Sequence, residues 1–256
     1  MSKKQRWSSK FEIKPGSWVF VPTAETVKYG RELKKSIEAR WSPPSFYYHL
    51  RDGGHVQALL SHKNHEFYIH LDISNFFGCI NKTRVTRCFK GFYTYSKARE
   101  MAVESTVMVA NDAGLKRYIL PFGFVQSPII ASLCLQKSRL GRYLSDLNKE
   151  EEFKVSIYMD DIIISSNNQE SLSNIIHGIK PIAEQSGFPL NDTKEEGPAD
   201  KITAFNIELS KGRLSVTKGR LKMFIDSYRQ SDNLNVLSGI VGYVTTVNKS
   251  QADKIV

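Results

Sequence analysis

The chain has 256 residues, 41% of them hydrophobic and 11% aromatic, which is enough apolar material for a packed core and excludes a disordered, solvating chain. Lys and Arg number 36 against 26 Asp and Glu, a formal net charge of +10 that favours polyanionic partners, nucleic acid first. No apolar run approaches the roughly 20 residues of a membrane helix, the basic N-terminus lacks a secretory apolar segment, and Cys79, Cys88 and Cys134 form no CxxC pair, so a reducing, cytoplasmic setting is expected.

In chain order, charged Lys28, Arg31, Lys34, Lys35 and Glu38 interleave with Val27, Leu33 and Ile37 and predict a helix over 24–40. A Trp41-Ser42-Pro43-Pro44 break and a turn at Asp52-Gly53-Gly54 come next. Phe67, Ile69, Leu71 and Ile73 alternate with Tyr68, His70 and Asp72, predicting a strand over 66–73 with Asp72 on the face opposite Leu71 and Ile73. A helical region is expected over 82–109, then a loop at Leu120-Pro121 and Gly123. One helix then begins at Pro128, capped by Ser127, with Ile129, Ile130, Leu133, Leu140, Tyr143 and Leu144 as its apolar side. Val155–Tyr158 and Ile162–Ser165 read as a hairpin turning at Met159, Asp160 and Asp161. A helix over 172–187 stopped by Gly187, a short strand near 204–209, a pair near 213–216 and a basic helical tail over 219–255 complete the chain. This order predicts an α+β core with an antiparallel sheet, not a parallel nucleotide-binding sheet.

The adjacent carboxylates carry the chemistry. Two ionised Asp side chains at a tight turn repel unless something positive neutralises them. An isolated Asp-Asp is most often an exposed turn, but apolar strands flank this one on both sides. Hard oxygen ligands select Mg²⁺, with Mn²⁺ as the alternative. With Asp72 as a sheet neighbour, Asp72, Asp160 and Asp161 would hold two ions, ~3.5–4 Å apart, for in-line displacement at phosphorus. His62, His65 and His70 with Cys79 and Cys88 fit no familiar zinc spacing.

These residues resemble the motifs of reverse transcriptases. Tyr158-Met159-Asp160-Asp161 is similar to the YxDD signature. His70–Phe77, completed by Ile80, resembles the first palm motif of bacterial members, LDIxxFFxxI, and Leu120–Pro128 resembles LPxGxxxSP. Gly187-Phe188-Pro189-Leu190-Asn191 with Lys194 resembles the fourth motif, and Phe205-Asn206-Ile207 the primer-grip hairpin. YxDD alone is a weak signal; five motifs in family order over 67–209 are a specific one. The likeness is nearest the bacterial group that contains retron and phage-defence reverse transcriptases. It implies a right-hand polymerase fold: fingers over 1–65, a first palm motif over 66–80, a helical insertion over 81–119, palm over 120–210 and a small helical thumb over 211–256.

The resemblance also implies roles. Asp72 and Asp160, with the carbonyl of Ile73, would bind the two metal ions, and Asp161 would support the site or join as a ligand. Phe77 would be a steric gate against a 2′-hydroxyl, the alternative being a core aromatic. Gly123 would let the backbone approach the incoming base pair. Phe122 stands where many relatives have Gln, a departure for which Gln126 could compensate. Lys194 would neutralise or protonate pyrophosphate, the alternative being a solvated surface lysine. A basic fingers hairpin is not evident, so Arg51, with Arg31 and Lys35, is the candidate for the triphosphate. Tyr158, Met159, Phe205, Asn206, Lys218, Arg220 and Lys222 would meet primer or template, the last three otherwise forming a plain charged helix face.

The activity that the resemblance implies is RNA-directed DNA synthesis from deoxynucleoside triphosphates. A structured noncoding RNA would be the template and DNA the product, with a protein partner or second copy and service in antiphage defence. The length leaves no room for an RNase H, endonuclease or maturase extension, so a domesticated enzyme is expected over a mobile element. The competing readings are untemplated nucleotidyl transfer on the same palm, and an idle scaffold that binds structured RNA.

Overall fold

The strand expected over 66–73 forms at Phe67–Asp72 in the computed structural model, which describes residues 5–14, 17–110, 114 and 116–255. The outer ends of the expected fingers and thumb, residues 1–4 and 256, and residues 111–113 and 115 of the expected insertion lie outside the described residues. Two compact units make up the chain. One comprises Met1–Ser45, Ile73–Ser145 and Lys180–Leu190; the other comprises Phe46–Asp72, Asp146–Ile179 and Asn191–Val256.

The second unit is built on a four-stranded antiparallel sheet in the order Lys154–Tyr158, Asp161–Ser166, Phe67–Asp72, Glu196–Ala199. Ile162, Ile163 and Ile164 are buried, as a strand covered on both faces requires. The same holds for Phe67–Asp72, where the polar members Tyr68, His70 and Asp72 are buried along with Ile69 and Leu71. Its alternation therefore separates two covered faces, one apolar and one carrying polar groups. His62 is buried and bridges Ser165 Oγ (2.7 Å) on one strand and Ser156 Oγ (2.8 Å) on its neighbour. Burial pushes this imidazole down to about 3, so it stays neutral while it ties the strands.

The expected single strand at 204–209 is two strands. Phe205 and Asn206 both adopt left-handed backbone (φ 58° and 60°) and turn Lys201–Ala204 back into Ile207–Ser210. Arg213–Val216 completes a three-stranded antiparallel sheet. Both central turn residues at positive φ is the geometry that matches strand twist in a two-residue hairpin. The helical tail forms Lys218–Gln230, Leu234–Val247 and Lys249–Ala252. Val244, Val247, Ala252 and Ile255 pack into one core with Ile202, Leu209, Val216 and Tyr68. Gln251 clasps the outer strand: its Oε1 accepts from Val216 N–H at 2.7 Å and its Nε2 donates to Val216 O at 2.9 Å. Asn248 Nδ2 donates to Leu214 O at 2.8 Å.

The first unit departs further from expectation. The region over 82–109 is not helical throughout; it forms Lys82–Phe89, Tyr95–Ser105 and then a strand, Val107–Ala110, paired with Lys116–Ile119. The single helix after Pro128 is two, Ser127–Gln136 and Arg139–Leu147. Ser138 makes the break: its hydroxyl accepts from Gly141 N–H at 3.0 Å and starts a new helix. Ser127 is the first residue of its helix and not its cap. Ile129–Leu135 are all buried, the pattern of a helix surrounded by protein. A hairpin of Trp7–Lys14 with Ser17–Pro22 precedes the expected first helix, Ala24–Glu38, which Thr23 caps. Phe20, Val107 and Phe124 form a core with Trp7, Val109 and Ile119. Among the described residues, no helix is long and apolar enough to cross a membrane.

The Gln251 clasp satisfies both backbone groups of Val216. Gln251→Leu leaves them without that partner, at a cost of about 1–3 kcal/mol per buried unsatisfied group. Chemical denaturation is expected to show a loss of about 2–6 kcal/mol for the two groups together, whereas Lys254→Ala, on the exposed side, is expected to leave the midpoint unchanged.

Candidate active site

Antiparallel pairing decides where the acids lie. Residues 67–72 pair with 166–161 so that Asp72 stands opposite Asp161 in register, and Tyr158 stands opposite Asp161 on the other side. Only Met159 and Asp160 remain in the turn. All three carboxylates thus gather at one end of the sheet. Met159 takes a left-handed conformation (φ 59°), unfavourable for an unbranched non-glycine residue by roughly 1–2 kcal/mol. Its N–H donates to His49 Nδ1 at 3.0 Å, and the N–H of Ile157, two residues earlier, donates to Phe46 O at 2.8 Å. Burial pushes His49 down to about 4, which keeps its ring nitrogen free of a proton as an acceptor.

The electrostatics arise from burial and crowding. Asp72 is 4% exposed and its Oδ1 accepts from Lys194 Nζ. Asp161 Oδ1 accepts from His70 Nε2 at 2.7 Å. Asp160 is pushed up to about 6, first by burial, then by the charges of Asp161 and Asp72. Lys194 is pushed up by its bond to Asp72. Asn191, at the start of the short turn carrying Lys194, donates its N–H to Asp72 O at 2.9 Å and so brings that lysine to the acid. Among the described residues, no three His, Cys, Asp or Glu side chains converge closely enough to hold a metal ion. Asp72 is engaged by an ammonium and Asp161 by an imidazole. The donor set nonetheless fits a hard divalent cation: oxygen ligands on three neighbouring carboxylates, one of them raised in pKa first by burial and then by the charges beside it.

The other expected residues divide between the units. In the sheet unit, Tyr158 and Phe205 meet edge to face with centroids 5.2 Å apart, so the hairpin tyrosine and the Phe205-Asn206 turn form one aromatic wall. His55 joins it, 5.8 Å from Tyr158 and 5.3 Å from Phe205, and its Nε2 lies 3.1 Å from Tyr243 OH on the penultimate helix. Asn206 shares the Phe205 turn. Arg51 is exposed and lies over the Tyr48 ring. Lys218, Arg220 and Lys222 are exposed on a helix with no buried residue. His49 and His55 escape sequence reading, because each is isolated in a stretch without a motif.

In the other unit, Ile73 forms an antiparallel bridge with Leu190. Phe77 stacks on Phe122 with centroids 5.7 Å apart and planes 26° apart, and Phe122 is 47% exposed. Gly123 has φ 109°, and a Cβ there would run into the Phe20 carbonyl, so the close approach that needs glycine is to the chain's own strand. Gln126 is fully buried against Gly30, and offers no atom to a nucleotide as it stands. Arg31 and Lys35 are exposed on the first helix.

The profile of the family described as reverse transcriptase (RNA-dependent DNA polymerase) matches residues 20–207. The chain belongs to the reverse transcriptase family. An enzymatic polyprotein of Figwort mosaic virus (strain DxS) is 27% identical over 131 residues, half of this chain and 18% of that protein. Telomerase from Candida albicans, solved with a TWJ fragment of telomeric RNA, is 10% identical with a TM-score of 0.55 over 91% of this chain and 47% of that one. Apo telomerase from Candida tropicalis is 11% identical with a TM-score of 0.53 over 85% of this chain and 43% of that one. The chain therefore spans less than half the length of these relatives and shares their α+β polymerase fold.

Asp160 gives the site a pH signature. Its folded pKa lies above the ordinary carboxylate value, so the stability it contributes is present below that ordinary value of 3.8 and lost as pH rises through about 6. Asp160→Asn is expected to stabilise the metal-free protein by roughly 2 kcal/mol above that range, with the gain vanishing toward the lower value. Denaturation of both proteins in chelator across this pH window checks it.

Proposed function

We propose that the chain is an RNA-directed DNA polymerase that extends a DNA strand by two-metal nucleotidyl transfer. The observation that supports this most is the register pairing of Asp72 with Asp161, with Asp160 in the adjoining turn, inside a reverse transcriptase domain. Asp72 and Asp160, with the Ile73 carbonyl, are the ligands, and Asp161, oriented by His70, supports them. Bound Mg²⁺, or Mn²⁺, supplies Lewis acidity at the primer 3′-hydroxyl and neutralises the triphosphate. The chain's own part is placement. The ordered turn at Met159 fixes Asp160, and Lys194, drawn off Asp72, stands ready to neutralise or protonate the leaving pyrophosphate.

Of the other expected residues, Phe77, backed by Phe122, is the gate that rejects a 2′-hydroxyl. Gly123 borders the nascent base pair, and Arg51 is the candidate for the triphosphate. Tyr158, Met159, Phe205 and Asn206 meet the primer end, while Lys218, Arg220 and Lys222 hold backbone phosphates. The net charge of +10 suits such a partner, and a telomerase of the same fold was solved with an RNA fragment. The motif likeness to retron and phage-defence enzymes favours a structured noncoding RNA as template and a role in bacterial antiphage defence.

Asp72→Ala and Asp160→Ala are each expected to abolish primer extension on an RNA template while leaving RNA affinity within about twofold, because binding rests on phosphate contacts elsewhere. Extension by a clean double variant would sink the assignment. Extension with the template omitted would instead favour the untemplated reading. Phe77→Ala is expected to admit ribonucleotides, measured as incorporation of ribonucleoside against deoxynucleoside triphosphates; unchanged sugar discrimination returns Phe77 to a packing role.

A further inference from the structure

A second site lies in the unit that does not carry the aspartates. A cavity of about 370 Å³ is lined by Arg84, Arg87 and Lys137, with Cys88, Cys134 and Ser138 among its other walls. Gln185 and Ser186 complete the lining, so three cations face the space and no carboxylate does.

The cations are held in place. Arg84 donates to the carbonyls of Ser186 and Gly187 and stacks on Phe188 with its guanidinium carbon 4.4 Å from the ring centroid. Lys137 Nζ donates to Cys88 O at 3.0 Å and lies 4.2 Å from the centroid of Phe92. Carbonyls and ring faces fix these groups without cancelling their full charges. Cations at the ends of helices Lys82–Phe89 and Gln169–Gln185 also serve as C-terminal caps. Capping accounts for Arg84 and Lys137. It leaves unexplained the open volume, the absence of any acid in its wall and the exposed Arg87 at its edge.

We propose that this cavity is a binding site for a phosphate-bearing anion, separate from the carboxylate centre. The forked guanidinium of Arg87 and the ammonium of Lys137 supply charge-assisted donors, while the Ser138 hydroxyl, which donates to Leu135 O at 2.6 Å, only lines the wall. The volume falls in the range of small-molecule sites, roughly 300–1,000 Å³, larger than a lone inorganic ion needs. A phosphodiester of bound RNA and a free polyphosphate present the same chemistry to it. The inference does not depend on the catalytic reading.

The experiment uses the full chain with Asp72→Asn and Asp160→Asn, in chelator, so that the carboxylate centre contributes no metal-bridged binding. Tripolyphosphate and a short single-stranded RNA are titrated separately by calorimetry. Alkylation of Cys88 and Cys134 is followed by mass spectrometry, with Cys79, outside this lining, as the internal control. Arg87→Glu is expected to weaken the binding anion by about tenfold, the worth of one charge-assisted contact, and Lys63→Glu, an exposed charge-matched control, is expected to leave it unchanged. The bound anion is expected to slow alkylation of Cys88 or Cys134 and not of Cys79. Binding of tripolyphosphate points to a free polyphosphate, and binding of RNA alone to a backbone phosphate. Binding of neither, or equal affinity in the parent and Arg87→Glu proteins, overturns the proposal even if the thiols prove unreactive.

Discussion

Three carboxylates crowd the end of one sheet because two backbone ladders leave them nowhere else to go. Side chains alternate along a strand, so a one-residue slip between Phe67–Asp72 and Asp161–Ser166 would send Asp72 to the opposite face. The register is secured by residues other than the acids. Ile162, Ile163 and Ile164 fill the core on one strand, and neutral His62 joins Ser156 to Ser165 across the hairpin. Lys194 and His70 hydrogen-bond to Asp72 and Asp161, while burial, and after it the neighbouring charges, raises the pKa of Asp160. Core packing and site electrostatics are thus one problem: the apolar ladder holds the charges together against their own repulsion.

The same unit shows how a short motif depends on distant residues. Met159 sits in a costly conformation, and the group that receives its N–H, His49, belongs to a segment more than a hundred residues earlier in the chain. Tyr158 is walled by His55 and Phe205, and His55 is tethered in turn to Tyr243 on the helix Leu234–Val247. The Met159-Asp160 turn, the Phe205-Asn206 turn and the helix Leu234–Val247 are therefore linked by side-chain contacts, and Val244 and Val247 share their core. A change in the last long helix has a direct material route to the aromatic wall.

Sequence reading reaches what local periodicity and motifs encode: the helix after Thr23, the strand ending at Asp72, the Tyr158–Asp161 hairpin and the acids themselves. It fails where partners far along the chain decide. Glu196–Ala199 reads Glu-Gly-Pro-Ala, which has no strand propensity, yet it pairs with Tyr68 and His70 at the sheet edge. Val107–Ala110 continues a helical composition and is a strand because Lys116–Ile119 pairs with it. Residues 128–147 read as one helix because their apolar positions stay in phase, and a single hydroxyl, that of Ser138, divides them. Gln126 looks available to a nucleotide by sequence position, but the absence of a side chain at Gly30 makes the space that takes it inside. His49 and His55 are silent in the sequence because what makes them matter is which residues they meet.

The grip of Gln251 and Asn248 on Arg213–Val216 reaches past local stability. An outermost strand with bare backbone groups is an invitation to any other extended chain, including another copy of itself. Here the amides of two side chains occupy the hydrogen-bonding positions at Leu214 and Val216 that an intruding strand would need. The short helix Lys249–Ala252 thereby covers an edge that another extended chain could pair with, and loosening it would open that edge to self-association.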